Sequence, residues 1–359
     1  MWRPESTPSN NAWTVELTRP IIKKMSEPEY FFRTLLYVKK IGLDGHDNIC
    51  NTYSDMYIVP KKQAFMVSLS EDDSIENDFA GRDDYWSTDF NTSIPYVTKK
   101  GVEKVSENTI SVIERKGQSE NILVCSDTTD QISVVNIHVV WFQERKNKSN
   151  SYIRQSHSNM LIFDHTENKI YLFDPYGMTY SAKQHFVYHA HQALKTYIEE
   201  NFYYLYVGDI HEAARVAYPS NVIGKDGPQA IQEMCTGTAE CHKSSTCQGW
   251  SAYFLLKLAS DKDIDPVFTY TFMLSDLRSS GDRKREHSGI SGAMVTMLDV
   301  AKHIIDESDN IIDSHDKDVE TCKKSCYLEI MSSYLKNRIP DEKIRSISGG
   351  IFDIDTLND

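Results

Sequence analysis

No stretch of this chain is apolar for long enough to cross a bilayer. The two longest hydrophobic runs, Ile132 to Phe142 and Trp250 to Leu256, fall short of the about 20 residues a helical span needs. The opening residues, Met1-Trp2-Arg3-Pro4-Glu5, carry no apolar core of the secretory kind. A soluble intracellular protein is therefore expected, with no membrane partner. Cysteine is scarce: seven in 359 residues, at 50, 125, 235, 241, 247, 322 and 326. An odd, scattered set is no disulfide framework and points to a reducing compartment. Basic charge is in deficit, with 39 Lys and Arg against 52 Asp and Glu and a net charge of −13. Such a surface repels phosphate, so no nucleic-acid partner is expected. Neither a Walker-type nor a dinucleotide-binding glycine motif is present, and no cofactor is implied.

What remains is ordinary globular material: 40% apolar and 25% charged residues, enough for a core without staples. The length fits two domains, or one large domain with additions. In the first hundred residues only Tyr30 to Lys40 reads as a short helix or strand. Ser68 to Asp78 and Gly81 to Ser93 read as polar loops. Residues 1–104 are therefore taken as an accessory region of unknown role, and residues 105–359 as the principal domain.

That domain opens on Ile132 to Phe142, a β-branched run that reads as a buried strand. Asn159 to Phe163 and Ile170 to Phe173 are two further strands around a turn at Asp164 to Asn168. Ser181 to Asn201 reads as a long helix, Tyr203 to Val207 as a strand and Trp250 to Ala259 as a buried helix. Val267 to Met273 is a strand candidate. Two helices are expected at Ile290 to Asp306 and Asp318 to Lys336. Helices gather late in an irregular order, which indicates an α+β fold rather than a doubly wound sheet.

Cys247 follows Ser244-Ser245-Thr246, a capping sequence, and precedes the buried helix. Thiols in a first helical turn feel the positive end of the macrodipole, which favours the nucleophilic thiolate. The alternative is a small hydrophobe that packs there. Such a nucleophile needs a base. With an even turn centred between Thr166 and Glu167, His157 falls opposite Tyr176 and Asn159 opposite Asp174. His157 and Asp174 then project from one face as diagonal neighbours. A carboxylate so placed holds one ring nitrogen while the other meets the thiol.

The strings His157-Ser-Asn-Met-Leu-Ile-Phe-Asp, Lys169-Ile-Tyr-Leu-Phe-Asp174-Pro-Tyr-Gly177 and Cys247-Gln-Gly-Trp-Ser-Ala-Tyr resemble the adenain-type cysteine endopeptidases. Relatives of that family include the ubiquitin-like-protein proteases and proteases of large DNA viruses. The order His, acid, Cys and the separation of His157 from Asp174 also match. The resemblance covers about residues 130–260 and implies a papain-like, adenain-like fold with a mixed central sheet and flanking helices. It implies His157 as base, Asp174 as orienting acid and Cys247 as nucleophile. It also implies an upstream Gln as oxyanion donor, for which Gln229 is preferred and Gln232 is the alternative. Ser158 stands where cellular relatives carry Trp, and Gln248 where adenain carries Gly. The implied function is peptide-bond cleavage in viral polyprotein or core-protein maturation, in the host cytoplasm or the virion. Removal of ubiquitin-like modifiers is the alternative activity. A non-enzymatic virion or scaffold protein that keeps the fold is the alternative class. The partners would be protein substrates.

Other groupings compete for attention. Cys235, Cys241, His242 and Cys247 are spaced too widely for a typical zinc site. His185, His189 and His191 read as an ordinary polar face of the long helix. Cys322 and Cys326 read as two half-buried thiols on a C-terminal helix. Near the end, Ile347-Ser348-Gly349-Gly350 is either a turn or a cleavage site, since proteases of the resembled type tend to cut after Gly-Gly.

Overall fold

A computed structural model describes residues 15–27, 29–42, 54–66, 85–97, 103–115, 132–145, 152–164, 169–177, 185–201, 227–233, 246–259, 265–281, 292–323, 326–327, 329–331 and 333. Helices α1 (Val15–Met25) and α2 (Glu29–Gly42) lead into strand β1 (Ser54–Pro60) and a short 3₁₀ turn, Lys61–Met66. Strands β2 (Tyr85–Val97), β3 (Glu103–Arg115), β4 (Ile132–Glu144), β5 (Tyr152–Asp164) and β6 (Lys169–Phe173) follow. Helices α3 (His185–Asn201), α4 (Pro228–Glu233), α5 (Cys247–Ala259), α6 (Pro266–Gly281) and α7 (Gly292–Ser314) complete the described elements.

The strands make one mixed sheet in the order β2-β3-β1-β4-β5-β6. Only β1 and β4 run parallel; the other neighbours are antiparallel. With helices on both faces this is an α+β architecture. Side chains alternate along each strand and so divide the core in two. Val135, Ile137 and Val139 of β4 and Leu161 and Phe163 of β5 meet Val187, Ala190 and Leu194 of α3. Met160, Ile162, Tyr171 and Phe173 point the other way, into a larger core with α2, α5, α6 and α7. Coverage on both faces explains why β4 is apolar almost without interruption.

Helix α5 is buried along all of its length. A helix hydrophobic on every side belongs in an interior. Here Phe254 stacks flat on Phe173 of β6, centroids 4.2 Å apart, with Tyr270 of α6 edge-on to both. This clamp joins the Cys-bearing helix to the strand that carries Asp174 at its end.

Four expectations need correction. The described strands of residues 1–104 belong to the main sheet: β1 lies between β3 and β4, and β2 pairs with β3 along all thirteen residues. Buried Arg33 of α2 binds Ser308 Oγ at 2.8 Å and pairs with Asp309 of α7. The expected loop at Gly81 to Ser93 is largely β2, whose Phe90, Thr92 and Ile94 turn inward while Asp89, Asn91 and Ser93 face water. One wet face makes such a strand look like a loop in composition. Val267 to Met273 is helical, inside α6. Asp265 caps it, its Oδ1 accepting from the N–H groups of Val267 and Phe268, and Pro266 sits at the first turn. Finally, Cys322 and Cys326 are bonded to each other, with Cα atoms 5.4 Å apart. Helix α7 stops at Ser314 and Asp316 takes a φ of 56°, so Cys322 lies just after a turn rather than in the helix expected from Asp318. Tyr203 to Val207 and Ser68 to Asp78 lie outside the described residues.

Candidate active site

The β5–β6 hairpin has the even register its sequence suggests. Met160 pairs with Phe173 and Asp164 with Lys169, and the same register carried onward puts Asn159 opposite Asp174. His157 and Asn159 share the face of Leu161, and Asp174 shares that of Ile170. All three therefore look toward α3. His157 Nε2 stands 2.8 Å from Asp174 Oδ1.

The residues after Asp174 hold it still. Asp174-Pro175-Tyr176-Gly177 follows the residue preferences of a type I turn, closed by Gly177 N–H on the Asp174 carbonyl at 2.9 Å. Tyr176 N–H donates to Asp174 Oδ1 at 2.8 Å, and Gly177 takes a φ of 75° that favours glycine. The Tyr176 ring leans on the His157 ring, centroids 5.2 Å apart.

Cys247 comes from the opposite layer, as the first residue of α5. The helix starts there because the Thr246 carbonyl accepts its first bond, from Trp250 N–H at 2.9 Å. Cys247 Sγ accepts from the Ser158 backbone N–H at 3.4 Å. The same sulfur lies near enough to the His157 ring to favour its charged form. With Nε2 given to Asp174, Nδ1 is the ring nitrogen left for the thiol.

Burial works against charge on His157, but the adjacent Asp174 carboxylate, their hydrogen bond and the Cys247 sulfur outweigh it and raise its pKa from 6.5 to about 10. The resting imidazole is thus held protonated. That is the partner a thiolate needs.

Helix α4 approaches the acid's turn from the side. Gly227 N–H donates to the Tyr176 carbonyl at 2.9 Å, and Gln229 N–H to the Pro175 carbonyl at 2.8 Å. A Cβ on Gly227 would stand 2.3 Å from the Pro175 oxygen and 2.4 Å from Gly177 N, so only glycine permits this approach. Gln229 is thereby laced to the segment that carries Asp174. Gln232 does something else: its Oε1 accepts from the Trp250 indole at 2.7 Å, inside the core.

No family model, curated protein or solved structure matches this chain.

The sequence-predicted His157, Asp174 and Cys247 therefore meet, and Gln229 is tied to the same turn. One residue was missed. His191 of α3 lies with Nε2 3.4 Å from Asp174 Oδ2, and the same nitrogen meets the Asn159 carboxamide. Burial first of all, with the neighbouring His157 adding to it against the pull of Asp174, lowers the His191 pKa from 6.5 to about 4. Its neighbour His189 is also buried, with Nδ1 2.7 Å from Thr92 Oγ1. His189 and His191, read as part of a polar face, are in fact docked on the sheet. Nothing in their spacing signals this, because α3 carries both apolar and imidazole side chains inward. Among the described residues no group of three His, Cys, Asp or Glu side chains is arranged to hold a metal ion. Cys235, Cys241 and His242 lie outside those residues, as does Gly349-Gly350. No helix among them is long and apolar enough to cross a membrane.

Proposed function

We propose that this protein is a cysteine endopeptidase of the adenain and ubiquitin-like-protein-protease type, with a papain-like peptidase fold, acting in viral polyprotein or core-protein maturation. The observation that carries the reading is His157, buried between the Asp174 carboxylate and the Cys247 sulfur at a helix N-terminus. In this reading the Cys247 proton resides on His157, and the thiolate attacks the scissile carbonyl carbon. The carbonyl π electrons move onto oxygen, where the Cys247 N–H and the Gln229 carboxamide donate to it. Collapse of that intermediate breaks the C–N bond, and His157 passes its proton to the departing amine. The now neutral His157 takes a proton from water, the oxygen attacks the acyl carbon, and the C–S bond breaks, which frees the acid product and returns the thiolate and the protonated His157. Asp174 orients the imidazole throughout.

A thiol-reactive peptide probe ending in Gly-Gly tests this. Native protein should be labelled at Cys247, and prior unfolding should abolish labelling. Fluorogenic Gly-Gly peptides should be cut by the native protein and not by Cys247→Ala. Absence of both labelling and cleavage in native protein would leave the fold without the activity, as a scaffold or virion component.

A further inference from the structure

Asp174 is fully buried and has more than one imidazole beside it. Its Oδ1 accepts the His157 Nε2–H and the Tyr176 backbone N–H, at 2.8 Å each. Its Oδ2 faces His191 Nε2 at 3.4 Å. His191 is not there by accident of a loose side chain. Helix α3 is anchored on the sheet by Val187, Ala190, Leu194 and Tyr197, all buried, and this fixes the side from which the ring enters. The histidine side chain itself is only 11% exposed.

The hydrogen-bond inventory then selects one tautomer. A carboxylate oxygen attracts a ring nitrogen only if that nitrogen carries a proton; a lone pair there would be repelled. His191 Nε2 is also in contact with the Asn159 carboxamide, whose two ends are told apart only by their partners. With Nε2 protonated, Asn159 must turn its oxygen toward it. That orientation gives a partner to Asn159 Oδ1, which is buried and lacks one when the amide nitrogen faces the ring. Two otherwise awkward contacts resolve together.

We infer that His191 is a positioning residue for the candidate catalytic centre: as a neutral imidazole it shares its Nε2–H between Asp174 Oδ2 and Asn159 Oδ1, and so holds the carboxylate oxygen that His157 does not use. This rests on the peptidase reading for its purpose, though not for its geometry. The titratable groups it faces on the sheet are Asp174 and His157. A neutral donor steadies the carboxylate without setting a second positive charge beside the His157 imidazolium. Arginine or lysine in its place would neutralise the carboxylate and weaken its hold on His157.

Two measurements test the clamp. Long-range ¹H–¹⁵N NMR of the histidine rings, on the resting full-length protein, should show His191 neutral with its proton on Nε2 near pH 7. A proton on Nδ1, or a doubly protonated ring, would overturn the inference. Second, iodoacetamide alkylation of Cys247 at pH 6, quantified by peptide mapping, should be compared across variants. His191→Leu leaves a buried carboxylate oxygen without its donor and should slow alkylation on the order of tenfold to a hundredfold, the range for one hydrogen bond to a charged group. His191→Gln sets an amide N–H near the place of Nε2 and should restore the rate to within about threefold of wild type. Equal rates for His191→Leu and wild type would overturn the inference. If His191→Leu does not fold, the NMR tautomer and the His191→Gln rate still decide. A wild-type Cys247 that reacts no faster than free cysteine, with the Nε2 proton in place, would sink the peptidase reading while leaving the clamp standing.

Discussion

Replacing Gly227 by Ala places one methyl group where three backbone atoms already stand. The new Cβ would lie 2.3 Å from the Pro175 oxygen, 2.4 Å from Gly177 N and 2.6 Å from the Tyr176 carbonyl carbon. None of these atoms ends a flexible side chain, so the two segments must separate by about 1 Å to regain ordinary contact. The separation breaks or strains the Gly227 N–H to Tyr176 and Gln229 N–H to Pro175 hydrogen bonds. Two such bonds contribute about 1 kcal/mol each, and overpacking adds about 1–3 kcal/mol, so a loss of about 3–5 kcal/mol is expected. Gln229 moves with the strand of contacts, and if it is the oxyanion donor proposed above, a 1 Å displacement should lower turnover about a hundredfold. Gly249→Ala is the control. Its Cβ would meet Met25 Sδ at 2.7 Å and Met297 Sδ at 3.0 Å, both on adaptable side chains, while Ala gains about 1 kcal/mol of helix propensity over Gly. Urea denaturation should therefore show Gly227→Ala strongly destabilised and Gly249→Ala near wild type. Gly227→Ala within about 0.5 kcal/mol of wild type, with full peptidase turnover, would refute the close approach of α4 to the acid's turn.

The two glutamines separate cleanly. Gln229→Ala should lower turnover about a hundredfold or more at nearly unchanged stability, whereas Gln232→Ala should keep activity and lose about 1–3 kcal/mol from the orphaned Trp250 indole; the reverse pattern would exchange their roles. In the triad, Cys247→Ala and His157→Ala should abolish peptide cleavage and Asp174→Asn should leave a trace, since residues acting as a unit fail together. Stability should vary with pH in opposite senses at the two histidines. His191, depressed from 6.5 to about 4, contributes stability present above pH 6.5 and lost as pH falls through 4, up to about 3 kcal/mol. His157, raised from 6.5 to about 10, contributes stability present below pH 6.5 and lost as pH rises through 10. Urea titrations should show the acid slope flattened in His191→Gln and the alkaline slope flattened in His157→Gln; unchanged slopes would count against both assignments. For the tail, intact mass after long incubation should show trimming after Gly350 in wild type and not in Cys247→Ala, and full-length protein in both would make Gly349-Gly350 only a turn.

Much of the site is written in local patterns. The parity of the β5–β6 turn is enough to bring His157 and Asp174 to one face, because side chains alternate with a period of two and nothing distant can change that. A polar Ser-Ser-Thr run before a mainly apolar stretch is enough to put Cys247 near the start of a helix, although the Thr246 hydroxyl itself makes no capping bond. Polar strands defeat the same method: β2 has Ser, Asp and Asn along its wet face and reads as a loop until β3 is seen to pair with it. The aromatic and β-branched start of α6 reads as a strand, and only the Asp265 cap reveals its helical start. The bond between Cys322 and Cys326 depends on where α7 ends, which its hydrophobic pattern does not mark.

What the sequence determines by itself is thus the α+β class, the hairpin register and the identity of the three candidate side chains that meet. Their meeting is a tertiary matter. Cys247 reaches His157 because Phe254 stacks on Phe173 and seats α5 against β5 and β6, a contact between residues far apart in the chain. The placement of β1 in mid-sheet, the lacing of Gln229 to Pro175 and the arrival of His191 at Asp174 are of the same kind. Each depends on which surfaces pack together, and packing is a property of whole elements in three dimensions, invisible to spacing along one segment.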